Sequence, residues 1–276
     1  MKFKIIEYNI LDGFHTRDQP ARFESERLIA ARELVKNEKP DILILPEACD
    51  DEIAKHNLKI DYAKEFDLPY HFHGHKPNGS KHGISVLSRW PFKKKENYSM
   101  HDMKFVRVDI KIENKTIRVD ALHPHPSLNS CEMAQFFKNV LRDIVPYSIL
   151  TGDFNSWSAS DKPYDRKKII SKFRTFAELK DKDENFVINI IDDKLTFEAM
   201  NIIENSNYID TYKKFHKKEK EWTIPTALID TNKDAAMRID YIFCTKEFKI
   251  LEAGIIKNEL AEKASDHYPI YAVLEI

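Results

Sequence analysis

Residues 147–158 read YSILTGDFNSWS. Tyr147 to Thr151 have the composition of a buried strand, and Gly152 ends it, where a residue without a Cβ tolerates unusual backbone angles or a close approach. Asp153 and Asn155 follow at i and i+2, the spacing that points two side chains to the same side of a strand end. A turn would use the same residue types, because Asp, Asn and Ser readily bond their own backbone. The rest of the chain bears on the choice between these readings.

Seven further runs carry strand composition: Lys2–Asn9, Asp41–Pro46, Gly83–Ser88, Phe105–Ile112, Thr116–Leu122, Arg238–Cys244 and Tyr268–Ile276. Between them, Ala21–Lys36 keeps Phe23, Leu28, Ala31, Leu34 and Val35 at helical spacing, and Cys131–Ile144 does so with Phe136, Val140, Leu141 and Ile144. No fixed-period repeat and no low-complexity linker interrupts the pattern, so residues 1–276 are expected to form a single α/β domain. The polar, Lys-rich segment Ser156–Lys233 has helix-like pieces at Arg166–Glu178 and Thr196–Glu204. It is the expected place for substrate-specific loops.

With 276 residues, 42% of them hydrophobic, the chain can bury a sizeable core. Its 44 basic residues almost cancel its 45 acidic ones, so no overall field points to nucleic acid or a membrane, and a polyanion site would have to be local. No stretch approaches a membrane span, and the apolar run of MKFKIIEYNI is too short for a signal peptide. The three cysteines, Cys49, Cys131 and Cys244, are far apart and odd in number, which argues against a disulfide framework or a cysteine zinc site. A monomer in a reducing cytoplasm is expected.

Five other strands end as the opening one does. KIIEYN finishes at Asn9, DILILPE at Glu47 and IRVDALH at His123; RIDYIF carries Asp240, and Asp266 with His267 precedes the last strand. Singly, each has a structural explanation: Asn9 as a turn former, Glu47 at a solvated helix start, His123 at the surface, Asp240 paired with Arg238. Together they match a chemical need. A phosphodiester is already anionic, so breaking it calls for a hard divalent cation, an activated water and fixed donors for the developing charge. Mg²⁺ takes one or two carboxylates with water and phosphate, which suits Glu47 and the Asp153–Asn155 pair. His267 adds a group titrating near neutral pH, with a carboxylate beside it in sequence.

YN near the start, PE after the second strand, a strand ending in His, then GDFN, RIDYIF and SDHYPI occur in this order over nearly the whole chain. In this the sequence resembles the endonuclease/exonuclease/phosphatase superfamily, which includes deoxyribonuclease I-like nucleases, abasic-site endonucleases, neutral sphingomyelinases, deadenylases and inositol polyphosphate 5-phosphatases. GISVLSRWPF is similar to that group's Gly-x-x-x-Leu-Ser-Arg-x-Pro segment. The resemblance implies a four-layer α/β/β/α sandwich, two mixed β-sheets packed face to face with flanking helices, and a site at one end. It implies Mg²⁺ or Mn²⁺ on Glu47, with Asp153 and Asp266 as further metal contacts and Asn9 touching metal or the substrate's phosphate. Asp153 would orient or deprotonate the attacking water, and Asn155 would hold a phosphate oxygen. His123 would stabilise phosphoryl charge, and His267 would act as general base or phosphate ligand. Asp240 would support His267, and Asp266 would orient it or bind a second metal.

Departures from the better known branches narrow the substrate. Asn9-Ile10-Leu11-Asp12-Gly13 has one residue more than the Asn-x-Asp-Gly of abasic-site nucleases, which leaves Asp12 without a clear equivalence. RIDYIF stands where the 5-phosphatases carry Pro-Ala-Trp-Cys-Asp-Arg, which argues against an inositol substrate. His82, before GISVLS, and His125, in the stiff HPHP loop, can both reach substrate, as can Trp157. His71, His73 and His75 alternate but are expected in an exposed loop. The run KKFHKKEKE, Lys213–Glu221, reads as a solvated helical face, although lysines near Trp157 and Trp222 could also follow a nucleic acid strand. The expected activity is hydrolysis of a phosphodiester, of nucleic acid or a nucleotide-derived ester, by in-line attack of water. Phosphomonoesters, sphingomyelin and a non-catalytic phosphate-binding role are the alternatives.

Overall fold

All eight of these strand runs form strands in a computed structural model, which describes residues 1–16, 22–49, 60–74, 82–100, 103–162, 164–175, 179, 182–230 and 235–276. Alternation does the sorting in β1 (Lys2–Glu7): Phe3 and Ile5 turn to one face, Ile6 and Tyr8 beyond the strand to the other, and both faces are buried. The first sheet has the order β11 (Lys249–Ile255), β12 (Ile270–Glu275), β1, β2 (Ile42–Ala48), β4 (Gly83–Ser88), β3 (Tyr70–Gly74). The second has the order β5 (Phe92–Met100), β6 (Met103–Ile112), β7 (Lys115–Pro124), β8 (Ser148–Asp153), β10 (Asp240–Thr245), β9 (Tyr208–Asp210). Each sheet contains one parallel pair, β1 with β2 and β7 with β8, and is otherwise antiparallel.

The sheets face each other across an aliphatic layer that includes Ile5, Ile44, Val108, Val119, Ile149, Ile242 and Ala272. On the far side of the first sheet, Ile6, Leu43 and Leu45 pack on Ala31, Leu34 and Val35 of the helix Ser25–Glu38. Outside the second, Leu122, Leu150 and Phe243 pack on Met133 and Phe137 of the helix Ser130–Leu141 and on Met200 and Ile203 of the helix Glu198–Glu204. The result is the expected α/β/β/α sandwich.

Four strands carry no clear sequence signal. β5 and β3 lie at sheet edges, β5 with three consecutive lysines and β3 with His71 and His73, residue types that protect an edge more than they announce a strand. His71 and His73 are therefore strand residues, both bonded to Ser85 Oγ at 2.9 Å, and not an exposed loop; His75 lies outside the described residues. The helix expected from Ala21 runs from Ser25, and that from Cys131 is Ser130–Leu141, begun by a capping box of Asn129 and Glu132. The helix-like pieces of the Lys-rich segment are Arg166–Phe173 and Glu198–Glu204, joined by a third helix, Glu184–Lys194.

That segment has a core of its own. Ile169, Phe173, Val187, Ile191 and Phe197 enclose Trp157, together with Met237 and Ile239. The three cysteines are free. Among the described residues no helix is long and apolar enough to cross a membrane.

Candidate active site

The two parallel pairs direct four chain ends to one end of the sandwich: Asn9 after β1, Glu47 in β2, His123 in β7 and Asp153 in β8. β10 runs antiparallel to β8 with Asp240 opposite Asp153, and β12 runs antiparallel to β1, so Asp240 and His267 enter the same end from the starts of their strands. Local backbone devices complete the convergence. Glu47 has φ of 61° at a break in register with β4 between Pro46 and Ala48, a bulge that turns its carboxylate from the strand's alternation toward the site. Gly152 has φ of 138°, and a Cβ there would stand 2.0 Å from Leu122 O, so only glycine lets β8 approach β7 in this way.

Asn9 ties the sheets together. Its Nδ2 donates to Glu47 Oε1 at 3.2 Å and to Asp153 Oδ2 at 3.1 Å, while its Oδ1 accepts from Leu11 N. Asp153 also accepts from Asn155 N at 2.8 Å, and Asn155 Nδ2 donates to Pro124 O, which fixes the turn around Phe154. His123 Nε2 lies 3.6 Å from Asp153 Oδ2 and 3.8 Å from Glu47 Oε1. His267 Nε2 lies 3.9 Å from the same Asp153 oxygen, while its Nδ1 is 2.9 and 3.1 Å from the two oxygens of Asp240. Two imidazole nitrogens thus converge on one carboxylate oxygen.

Asp12 belongs here too. Leu11, Asp12, Gly13 and Phe14 have φ of 44°, 52°, 59° and 67°, a left-handed turn that takes up the extra residue between Asn9 and Asp12. Buried Arg27 collects the carbonyls of Ile10, Leu11 and His15, and Asp12 N donates to Glu47 Oε2 at 2.9 Å. The Asp12 carboxylate then reaches His82 Nε2 at 2.7 Å.

Burial and crowding of like charge set the electrostatics. Burial, then the Asp240 carboxylate, push Asp153 up to about 8, against the opposing pull of His267. Burial opposes charge on His267, but Asp240 and Asp266 outweigh it and hold the imidazolium well above the usual histidine range. Glu7, wholly buried one step below Asn9, is driven well above the carboxylate range by burial and then by Asp240 and Asp153, and neither of its oxygens has a hydrogen-bond partner among the described residues. Lys194 Nζ, buried, donates to Asn155 O at 2.7 Å, and burial lowers it to about 8 although Asp153 pulls the other way.

Such a cluster of hard oxygen donors, mutually repelling and short of cations, fits a divalent ion. Among the described residues two groups could hold one: Asp12, Glu47 and His82, and Asp153, Asp240 and His267. Of the ligands expected from sequence, Glu47 lies in the first group and Asp153 in the second, and Asn9 bonds both. Asp266 is in neither group; its Oδ1 accepts from Ser265 Oγ at 3.3 Å, and the carboxylate that orients His267 is Asp240. Arg238 pairs with Asp161 and Asp210 rather than with Asp240.

Of the substrate contacts expected from sequence, Trp157 is overturned. Its ring is fully buried against Tyr164 and Phe173, and its indole N–H points to Met237 Sδ, because the chain beyond Asn155 turns into the helical core. His125 is bonded to Ser127 Oγ at 2.7 Å, and His82 to Asp12. Glu7, Asp12, Arg27 and Lys194 are additions of the structure. Of these, Glu7 had a sequence signal, a charged residue at an inward position of a buried strand, and Asp12 had one in the Asp-Gly pair that the extra residue left without a clear equivalence.

A family model described as Endonuclease/Exonuclease/phosphatase family matches residues 7–267. No curated protein matches the sequence. Among solved structures, D. rerio TDP2 complexed with single strand DNA product is 16% identical, with a TM-score of 0.66 over 100% of this chain and 99% of that one. An endonuclease/exonuclease/phosphatase family protein from Leptotrichia buccalis C-1013-b is 19% identical, with a TM-score of 0.63 over 99% and 100%. The human nocturnin catalytic domain with bound sulfate anion is 14% identical, with a TM-score of 0.62 over 99% and 93%. At these identities the likeness bears on the fold, whereas the family match begins at Glu7 and ends at His267 and so takes in both carboxylate–histidine groups: the chain belongs to the endonuclease/exonuclease/phosphatase family.

Proposed function

We propose that the protein is a divalent-metal-dependent phosphoesterase that hydrolyses a phosphodiester, of nucleic acid or a nucleotide-derived ester, by in-line attack of water. The observation that carries this reading is the Asp240–His267–Asp153 series facing Asn9, Glu47 and His123 across the sandwich end. Asp12 and Glu47 would hold Mg²⁺ or Mn²⁺, which supplies charge neutralisation on a phosphate oxygen. Asp153 Oδ2, placed between the two imidazoles, orients the attacking water and accepts its proton. Because Asp240 engages Nδ1 of His267 and the surrounding carboxylates keep the ring protonated, Nε2 serves as a donor to a phosphate oxygen rather than as the base. His123 Nε2, beside the same Asp153 oxygen, is another donor, and the remaining amide N–H of Asn155 would supply a further one. Lys194 steadies the turn that carries Asn155.

Family membership supports phosphate-ester chemistry, and a single-stranded DNA product in a structural neighbour favours nucleic acid among the esters. A chain of near-neutral net charge with three free cysteines also suits a cytoplasmic monomer. The test is a panel of single- and double-stranded DNA, abasic DNA, RNA, sphingomyelin, inositol phosphates and an aryl phosphodiester, with Mg²⁺, Mn²⁺ or EDTA. The expected result is EDTA-sensitive hydrolysis of a nucleic acid or aryl diester that Asp153→Asn abolishes. Hydrolysis confined to a phosphomonoester, or none in any arm, would overturn the reading.

A further inference from the structure

His82 precedes β4, and β4 is the neighbour of β2, with Gly83 opposite Ala48 just beyond the bulge at Glu47. Strand pairing therefore sets His82 beside Glu47 and against the left-handed turn. Its Nε2 lies 2.7 Å from Asp12 Oδ1, and its side chain keeps 28% of its surface exposed while that of Asp12 keeps 8%. Ligand atoms of Asp12, Glu47 and His82 all lie within 4.8 Å of one another. A cation bound at about 2.1 Å to each donor needs them about 3 to 4 Å apart, so small side-chain adjustments would suffice.

The turn that brings Asp12 here is costly to make. Left-handed backbone is disfavoured for any residue with a Cβ, and Leu11, Asp12 and Phe14 are all in it. Gly13 has no alternative, since a Cβ there would sit 2.8 Å from Cys49 Sγ. Strain held in place by a buried arginine and by the Asp12 N–H on Glu47 fixes this carboxylate opposite an imidazole.

We infer that His82 gives a ring nitrogen to the cation held by Asp12 and Glu47, and that the site thereby selects Mn²⁺ or a later first-row ion over Mg²⁺. The inference rests on the phosphoesterase reading only for there being a cation at Glu47. Its chemistry is direct: Mg²⁺ favours an all-oxygen shell, whereas imidazole raises affinity along the series from Mn²⁺ upward. His82 is then a metal ligand and not a substrate contact.

The experiment is pulsed electron paramagnetic resonance of Mn²⁺ added to the full chain, with calorimetric titration of Mn²⁺ and Mg²⁺. Wild type is expected to show coupling to a directly bound ¹⁴N that survives in His123→Ala and is lost in His82→Ala and His82→Gln. The glutamine variant keeps a polar partner for Asp12, so loss of the signal there is not a folding defect. The preference for Mn²⁺ over Mg²⁺ should fall by about tenfold or more in both His82 variants, with little change in Mg²⁺ affinity. Bound Mn²⁺ without nitrogen coupling in wild type would overturn the inference, as would coupling that persists in His82→Ala or full Mn²⁺ affinity in Glu47→Gln. None of these readouts needs turnover. A nitrogen-free Mn²⁺ site with intact hydrolysis would sink this inference and leave the proposed function standing, and the reverse outcome would do the opposite.

Discussion

Replacing Asp240 by Asn separates the charge of that residue from its shape. Asp240 is fully buried, and both its oxygens face His267 Nδ1, at 2.9 and 3.1 Å. Without the carboxylate, the burial that opposes the imidazolium stays while its largest support is removed, so the His267 pKa falls, with Asp266 left to hold against burial. An Asn can still accept from Nδ1–H, so the ring stays placed while Nε2 holds its proton less firmly. A single fixed donor to a developing oxyanion is worth roughly 2.7–4 kcal/mol, so turnover should fall about 10² to 10³-fold with little change in KM. The loss should be smaller at acid pH, where the weakened imidazole recovers its proton. For stability the sign follows from the raised pKa of His267. Its contribution is full below the unfolded-state pKa near 6.5 and is lost as pH rises through the higher folded-state value, so Asp240→Asn should cost more at pH 6 than at pH 9. The assay is the pH dependence of kcat and kcat/KM on an aryl phosphodiester, with the His267 ring followed by NMR. Activity within about fivefold of wild type at neutral pH, or a His267 titration that does not move down, would refute the placement of this proton.

Glu7→Gln should raise the melting temperature at pH 7–8 and leave it unchanged near pH 4. A carboxyl whose folded pKa lies above its unfolded value near 4.5 progressively destabilises the fold as pH rises between the two, and the amide removes that dependence; equal melting curves at both pH values would contradict it. Lys194→Met preserves volume, so stability should change by under about 1.5 kcal/mol, while loosening of the Asn155 turn lowers kcat about tenfold or more. Lys194→Arg should restore part of that loss if the hydrogen bond to Asn155 O is what matters, and steady-state kinetics of both variants decide it. Trp157→Ala should destabilise by about 3–5 kcal/mol in urea without altering KM in the folded fraction, because the indole is core and not substrate surface; a raised KM with unchanged stability would reverse that assignment.

The inner strands were legible because their signal is strong: β1, β2, β7, β8 and β10 are buried on both faces and read as near-continuous apolar runs that stop at a polar residue. The edges were not, since β5 is rich in lysine and β3 in histidine, as exposed sheet margins tend to be. At the site, the positions of Asn9, Glu47, His123, Asp153, Asp240 and His267 followed from strand ends, because parallel neighbours bring their ends together. Asp12 did not follow. Its place depends on four consecutive positive φ angles, of which only Gly13 gives a hint in sequence. Lys194 comes from a helix in the Lys-rich segment, nearly forty residues past Asn155, and nothing local marks which of the lysines turns inward. Trp157 misled through proximity: it is two residues from Asn155, but the strand has already ended and its alternation no longer holds.

The aliphatic layer between the sheets is made of similar, rounded side chains, and a surface of that kind resists separation better than it resists sliding. Asn9 on Asp153, and His267 on Asp240, are polar stitches that cross from one sheet to the other at a single end. They act as a peg that sets the slide and the angle of one sheet over its mate. A shift of a strand residue, about 3.3 Å, would break every one of them and leave carboxylates buried without partners. The residues proposed to perform the chemistry also align the halves of the molecule, so a sandwich assembled out of register would lose the site together with the contacts that hold it.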